Sequence, residues 1–520
     1  MVALPPLLQA FAQGQVWEQG RAIAQDDLLQ THISYVVLAG DWAYKLKKPV
    51  NFGFLDFSTL AQRQHFCQEE LRLNRRLAAD LYVGVVPIFQ EGDRYVLGEG
   101  TGEPVEYAVK MHRFRQEDLW LAWFEAGKLT AAHMVDIADR LAEFHRTAAT
   151  NEYIARFGTA AALQAVANDN YQATERYVGR AQTAEQLAAT KAATDRLFAE
   201  QEPRFAARVQ QGKIRECHGD VHLKNICWFG GKVQIFDCIE FNEPFRFSDV
   251  LYDAAFLAMD LDFRGRPDLA NVFLNRYLTV TGDYEGVPLL SLFLSLRAYV
   301  RAKVTSFLLD DPAMDGATQA QAQAEAAAYY RLAAAYLQPR PPQVYATVGL
   351  SGSGKSTLAQ ALAAQVGAIW LRSDVIRKHL AGVPLLARGG DDLYTPERTA
   401  RTYQRLLELA QLLTAAGWSV VLDAKYDRVA LRQELTQALI PEGLPVTFLV
   451  CQAPVEVLTQ RLQARTAAGT DVADATVDLL AAQQAALEPF APEETAPRRV
   501  LDTTQPVTAL LAQVLGPGLG

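Results

Sequence analysis

The chain has 520 residues, half of them hydrophobic and 21% charged, which is the composition of a globular protein with length for roughly two to four domains. A formal net charge of −9 argues against a nonspecific nucleic-acid partner. The five cysteines, at 67, 217, 227, 238 and 451, form no C-x-x-C pair, which points to reduced thiols rather than a disulfide frame or a zinc site.

The first twenty residues lack a charged segment followed by a long apolar core. The most apolar run, from Val287 to Leu296, is interrupted by Pro288 and stopped by Arg297. No signal peptide, membrane span or membrane partner is expected, and the protein is read as cytoplasmic. Residues 1–30 read as an irregular or helical lead-in. After them, residues 33–38, the turn Ala39-Gly40-Asp41 and residues 42–47 predict a β-hairpin.

Lys45 and Lys47 lie two apart and share one strand face. In a kinase small lobe, a strand lysine neutralises ATP phosphates and a helix glutamate holds it in place. Lys45 is the expected lysine, with Lys47 as the alternative. The helical period over residues 57–79 carries adjacent Glu69 and Glu70. Spacing does not choose between them, and Glu70 is taken as the candidate partner. No G-x-G-x-x-G precedes the hairpin, so covering the phosphates would fall to residues 30–34. Residues 105–111 read as a strand leading into a hinge, and residues 129–200 read as helical, with His145 a core or helix-surface histidine.

The stretch Cys217–Glu240 concentrates the chemistry. His218, Gly219, Asp220, His222 and Asn225 fall within eight residues, and a hairpin turned at Gly230-Gly231 delivers Asp237. An Asp, an Asn five residues on and a second Asp after a hairpin suit phosphoryl transfer. Asp220 would be the base for an acceptor hydroxyl, with Asn225 and Asp237 as metal ligands. Asp249 and Asp253, four apart on an expected helix, offer one buttress for this loop and one helix-start carboxylate. Helices are expected to continue to about Leu337, where prolines 339, 341 and 342 make residues 337–343 a linker. The domains are read as 1–336 and 344–520.

Residues 344–348 then read as a buried strand running into Gly349-Leu350-Ser351-Gly352-Ser353-Gly354-Lys355-Ser356-Thr357 and a helix. This is G-x-x-x-x-G-K-[ST] in its strand–loop–helix setting, with backbone amides for phosphates, Lys355 for the β/γ oxygens and Ser356 for Mg²⁺. Residues 369–374 read as a strand ending in Asp374, a second candidate base, with Arg377 placed to hold an anionic substrate. Residues 420–423 end in Asp423 at a Walker-B-like position. Arg461 and Arg465 suit either a mobile lid supplying transition-state charge or an exposed arginine pair.

The HGDVHLKN…IFD stretch resembles the aminoglycoside phosphotransferase-like kinases, which share the bilobal protein-kinase fold. That likeness implies Asp220 as base and Asn225 and Asp237 as metal ligands. Residues 344–520 resemble P-loop kinases of the gluconate kinase, adenylylsulfate kinase and zeta-toxin type, which implies roles for Lys355, Ser356, Asp374 and Asp423. In order and extent the whole chain resembles the bifunctional aminoglycoside phosphotransferase/ATP-binding proteins.

The expected fold is therefore a two-domain α/β and α+β chain, with a bilobal kinase-like domain followed by a P-loop domain on a parallel sheet. The expected function is a two-headed ATP- and Mg²⁺-dependent kinase acting on hydroxyls of small molecules. Two alternatives stand beside it. One head would regulate the other as an ATP sensor, or the P-loop head would act on a nucleotide sugar or a nucleic-acid 5′-hydroxyl. The acceptors, the relation between the heads and the oligomeric state stay open.

Overall fold

The computed structural model describes residues 5–53, 55–311, 314–469 and 471–516. They form two compact units. One contains the residues up to Arg176 together with Asp195–Asp260. The other contains Tyr177–Thr194 and the residues from Leu261 onward.

The first unit opens on an eight-stranded sheet of order β2-β1-β7-β6-β8-β5-β4-β3. Its strands are β1 (Val16–Glu18), β2 (Arg21–Ile23), β3 (Asp27–Gln30), β4 (Ser34–Ala39), β5 (Trp42–Lys47), β6 (Tyr82–Glu91), β7 (Arg94–Leu97) and β8 (Glu106–His112). The expected hairpin is β4–β5, paired Ser34 to Lys47 through Ala39 to Trp42. The lead-in differs from expectation, because residues 16–30 supply three strands of the sheet. Each is three or four residues long, too short to show an alternating pattern in sequence. Val16 is nevertheless fully buried in a core with Phe11, Val37, Tyr44 and Ile88.

One long helix, Leu60–Ala78, crosses between β5 and β6. Thr59 and Gln62 form a reciprocal capping box that fixes its start. Below the sheet, β9 (Ile214–Glu216) pairs with β12 (Phe247–Asp249), and β10 (Ile226–Phe229) pairs with β11 (Lys232–Ile235). The loop carrying Asp220 and Asn225 lies between β9 and β10. Asp237 follows the β10–β11 hairpin.

In the second unit a five-stranded, all-parallel sheet has the order β14-β15-β13-β16-β17. These strands are β13 (Val344–Val348), β14 (Ile369–Arg372), β15 (Val420–Asp423), β16 (Val446–Gln452) and β17 (Arg498–Asp502). β13 is buried at every residue, as expected for a central strand covered on both faces. β14 stops at Arg372, two residues short of the expected end, so Asp374 sits in the first turn of the helix Ser373–Ala381.

Helices Pro267–Thr281, Leu290–Phe307 and Gly316–Tyr336 belong to this unit too. The alanines of the last helix have a packing purpose: Ala322, Ala326 and Ala333 are buried, and the Ser295 hydroxyl donates to the Ala333 carbonyl at 2.8 Å. The first of these helices seals the edge strand β14. Asn275 Oδ1 accepts the Trp370 N–H at 2.7 Å, and Asn271 and Asn275 both donate to the Ala368 carbonyl at 2.9 Å. His379 Nε2 lies 2.9 Å from the Thr279 carbonyl oxygen, and Arg405 pairs with Glu285. Among the described residues, no helix is long and apolar enough to cross a membrane.

Candidate active sites

In the first unit, β5 projects Lys45 and Lys47 to the same side. The choice between the two lysines, and between Glu69 and Glu70, resolves in an unexpected way. Lys45 Nζ lies 2.7 Å from Glu70 Oε1 and 2.5 Å from Asp237 Oδ1, and Lys47 Nζ lies 2.8 Å from Glu70 Oε2 and also binds Glu240. Both lysines therefore meet Glu70. Glu69 faces away and pairs with Arg72.

Burial alone would depress the Lys45 ammonium. The Asp237 and Glu70 carboxylates outweigh it, and its pKa stands well above the ordinary lysine value. Burial likewise favours protonation of Glu70, but the two lysines prevail and hold it below the usual glutamate range.

Asp220 lies in the loop before β10. Asn225 Nδ2 donates to its carboxylate at 2.9 Å and to its backbone carbonyl at 3.0 Å. That commits the Asn225 amide nitrogen and leaves its Oδ1 as the atom suited to a cation. His222 Nε2 is 3.4 Å from Asp220 Oδ2. Asp237 adopts φ 61°, an unusual conformation for a non-glycine residue, and its side chain is 44% exposed. The Tyr82 hydroxyl accepts the Asp237 N–H at 3.3 Å.

The loop is held from behind. Asp253 accepts the His218 and Gly219 amides at 3.0 and 2.7 Å, and His145 Nε2 sits 3.0 Å from Asp253 Oδ2. Asp253 is thus the buttress, and His145 takes the core rather than the helix-surface position and acts as its partner. Asp249 is not on the helix. It ends β12, pairs with Arg208 and caps the Leu251 N–H at 2.8 Å. Burial drives the His218 pKa down to about 4 despite the nearby Asp253. As a neutral ring it accepts the Asp220 N–H at Nδ1 (3.3 Å), with Nε2 3.1 Å from the Phe236 carbonyl oxygen.

Residues 30–34 form the turn between β3 and β4, where Thr31 Oγ1 accepts the Ser34 N–H at 3.0 Å. Glu240 and Asp249 are committed to Lys47 and Arg208, and Glu243 accepts a hydrogen bond from the Tyr153 hydroxyl.

In the second unit, the loop from Gly349 to Gly354 follows β13, and the helix Lys355–Val366 begins with Lys355, Ser356 and Thr357. Gly349, Gly352 and Gly354 all have positive φ. A Cβ on Gly349 would come within 2.5 Å of the Cys451 carbonyl oxygen. Lys355 Nζ donates to the Leu350 carbonyl at 2.6 Å, and burial lowers its pKa against the pull of Asp423 and Asp374. Ser353 Oγ and Asp423 Oδ2 are buried with no hydrogen-bond partner among the described residues. Such orphaned atoms suit a cradle for phosphates and a divalent cation, and the glycine-walled loop fits the same group.

Burial raises the Asp374 pKa, with Asp423 adding to the effect and Arg372 opposing it. Sequence reasoning missed Arg372, which lies 3.8 Å from Asp423 and 2.8 Å from Asp471. Arg377 is buried, stacks 4.9 Å from the Tyr394 ring centroid and leaves Nε without a partner among the described residues.

The two late arginines are neither exposed nor free. Arg461 Nη1 donates to Thr503 Oγ1 at 3.0 Å and Nη2 to the Thr503 carbonyl at 2.7 Å, beneath Gly352 and Gly354. Arg465 donates to the Ala475 carbonyl at 2.7 Å.

Two further features carried no sequence signal. Lys378, itself buried, collects the carbonyls of Leu385, Ala387 and Val472 together with Asp474, tying the 471–474 segment to the Asp374 helix. Gln483 Oε1 accepts the Ser351 N–H of the phosphate loop at 3.0 Å.

Residues 54–290 match the model of the phosphotransferase enzyme family, and residues 344–490 match an AAA-domain model. The uncharacterized protein Rv2004c of Mycobacterium tuberculosis (strain ATCC 25618 / H37Rv) is 32% identical over 465 residues, covering 88% of this chain and 90% of that protein. The adenylyl-sulfate kinase of Myxococcus xanthus (strain DK1622) is 30% identical over 123 residues, 22% of this chain and 59% of that protein. Among solved structures, a sugar kinase from Janibacter sp. HTCC2649 is 27% identical and covers 34% of this chain and 93% of its own, with a TM-score of 0.26.

Proposed function

Because the chain belongs to the family of the mycobacterial protein Rv2004c, and itself joins a phosphotransferase-family module to a P-loop kinase module, we propose that it is a two-headed ATP-dependent kinase. Each head transfers the γ-phosphate to a hydroxyl of a small molecule such as a sugar or aminocyclitol. The observation that carries the proposal is the repetition, in two unrelated folds, of a lysine under the pull of two carboxylates: Lys45 bonded to Glu70 and Asp237, and Lys355 in the field of Asp423 and Asp374. We divide the heads at the 337–343 linker, as 1–336 and 344–520.

In the first head, Lys45 holds the phosphates and Asp220 receives the proton of the acceptor hydroxyl as it attacks. Asn225 and Asp237 would hold Mg²⁺. In the second, the phosphate-loop amides and Lys355 hold the phosphates, and Ser356 and Asp423 would hold the cation. Asp374 receives the proton there, and its raised pKa strengthens it as a base. Arg377, with an unpaired Nε, suits an anionic group on the acceptor. Mg²⁺, when bound, neutralises charge building on the phosphate oxygens.

The reading is tested by incubating the full chain with ATP, Mg²⁺ and a library of hydroxylated metabolites. ADP formation matched by a new phosphoester is expected. Absence of both turnover and nucleotide binding contradicts the proposal.

A further inference from the structure

Lys47 is the second ammonium on β5. It is 2% exposed, its Nζ lies 4.7 Å from the Phe57 ring centroid, and its partners are Glu70 and Glu240. A lysine buried this deeply has no route to a phosphate, and it is tolerated in the interior only because carboxylates hold it. Lys45, Glu70, Lys47 and Glu240 thus make a charge-balanced row of two ammonium and two carboxylate groups, with Asp237 at its open end.

The row has a consequence for the loaded site. When Asp237 turns toward a cation it leaves its ion pair with Lys45, while Lys45 stays held by Glu70 as it meets the phosphates. Glu70, fully buried, keeps Lys47 as a second counter-charge. Lys47 also grips Glu240, three residues beyond Asp237, while Asn74 Oδ1 accepts the intervening Cys238 N–H at 2.9 Å. The segment 237–240 is therefore fastened independently of the contact between Asp237 and Lys45.

We infer that Lys47 and Glu240 are a positioning pair that keeps Asp237 in place to receive the divalent cation. The inference rests on reading the first unit as an ATP-dependent kinase head.

The test uses the full chain in a Lys355→Ala background, which silences the second site, and adds Lys47→Met, Glu240→Gln or Lys47→Arg. Mn²⁺ binding in the presence of a non-hydrolysable ATP analogue is followed by electron paramagnetic resonance. Lys47→Met and Glu240→Gln are each expected to weaken Mn²⁺ binding by about tenfold, as is usual when a group supporting a metal ligand is lost. Analogue affinity in EDTA is retained, and Lys47→Arg recovers most of the loss.

A second readout needs no nucleotide. Cys238 is 1% exposed, and all five cysteines are buried thiols. Cys238 should be alkylated faster in both variants, while Cys451 of the other unit stays protected. Unchanged Mn²⁺ affinity with unchanged Cys238 protection overturns the inference. If the Lys355→Ala parent binds no nucleotide at all, the kinase reading of this head fails, and an unchanged Cys238 rate then overturns the positioning role as well. Should Lys47→Met unfold, seen as labelling of all first-unit cysteines, Glu240→Gln decides the matter.

Discussion

The carboxylate of Asp253 accepts the backbone N–H of Gly219 at 2.7 Å, so a helix side chain holds the loop immediately before Asp220. Gly219 has φ +87°, and a Cβ there would lie 2.9 Å from the Phe245 carbonyl oxygen. The loop is thus shaped by a glycine and pinned by a carboxylate. Replacing Asp253 with Ala removes the acceptor of two buried amides and the partner of His145 Nε2, and is expected to cost about 3–5 kcal/mol. Urea denaturation of the first unit checks this. Asp253→Asn should cost less and still slow turnover, because an amide accepts through one oxygen where the carboxylate uses both.

Acid sensitivity follows from His218. Its folded pKa is about 4 against 6.5 for the free side chain, so between these values the unfolded chain binds the extra proton. Stability from this group is fully present above pH 6.5 and is lost as pH falls toward 4, a change on the order of 3 kcal/mol. His218→Gln should flatten that part of the stability–pH curve. A curve of unaltered slope in the variant would contradict the assignment.

Arg461 donates to Thr503 beside the phosphate loop, the placing of a support for that loop. Arg461→Ala is expected to weaken binding of ADP and of an ATP analogue alike, by about tenfold, the size of one lost charged hydrogen bond. A transition-state arginine would instead leave ADP affinity intact and lower turnover alone. Isothermal titration alongside steady-state rates separates the two.

The edge strand β14 predicts a stability effect from its backbone sealing. Asn275→Ala leaves the half-buried Trp370 N–H without its acceptor and should cost about 1 kcal/mol. Thermal melting of the full chain, with Asn271→Ala as a milder comparison, checks the magnitude. Asn271 shares its acceptor with Asn275, so its loss leaves the Ala368 carbonyl still bonded.

The parts of this molecule that were legible in sequence are those where local chemistry dictates the residue. A phosphate loop needs glycines at fixed offsets, and the hairpin of β4 and β5 announces itself by its turn and β-branched residues. Asp220, Asn225 and Asp237 stand in a spacing that few other arrangements need. The sequence could not choose between Glu69 and Glu70, because neighbours on a helix point about 100° apart and only the strand opposite selects one.

Contacts made at long range were invisible for the same reason. Lys47 with Glu240, Arg372 with Asp471 and Asn275 with Trp370 join residues that share no local pattern. The Arg461–Arg465 spacing suited a lid or an exposed pair, but their partners are the Thr503 hydroxyl and the Thr503 and Ala475 carbonyls, distant contacts that leave no mark in a local pattern.

³¹P NMR of single-head variants decides whether two heads act in one chain. Wild type, Asp220→Asn and Lys355→Ala are each followed with ATP, Mg²⁺ and the hydroxylated-metabolite library. Two phosphoester products are expected in wild type, with Asp220→Asn losing one and Lys355→Ala losing the other. A single product that disappears in both variants would contradict two-headed action and point to one catalytic head governed by the other.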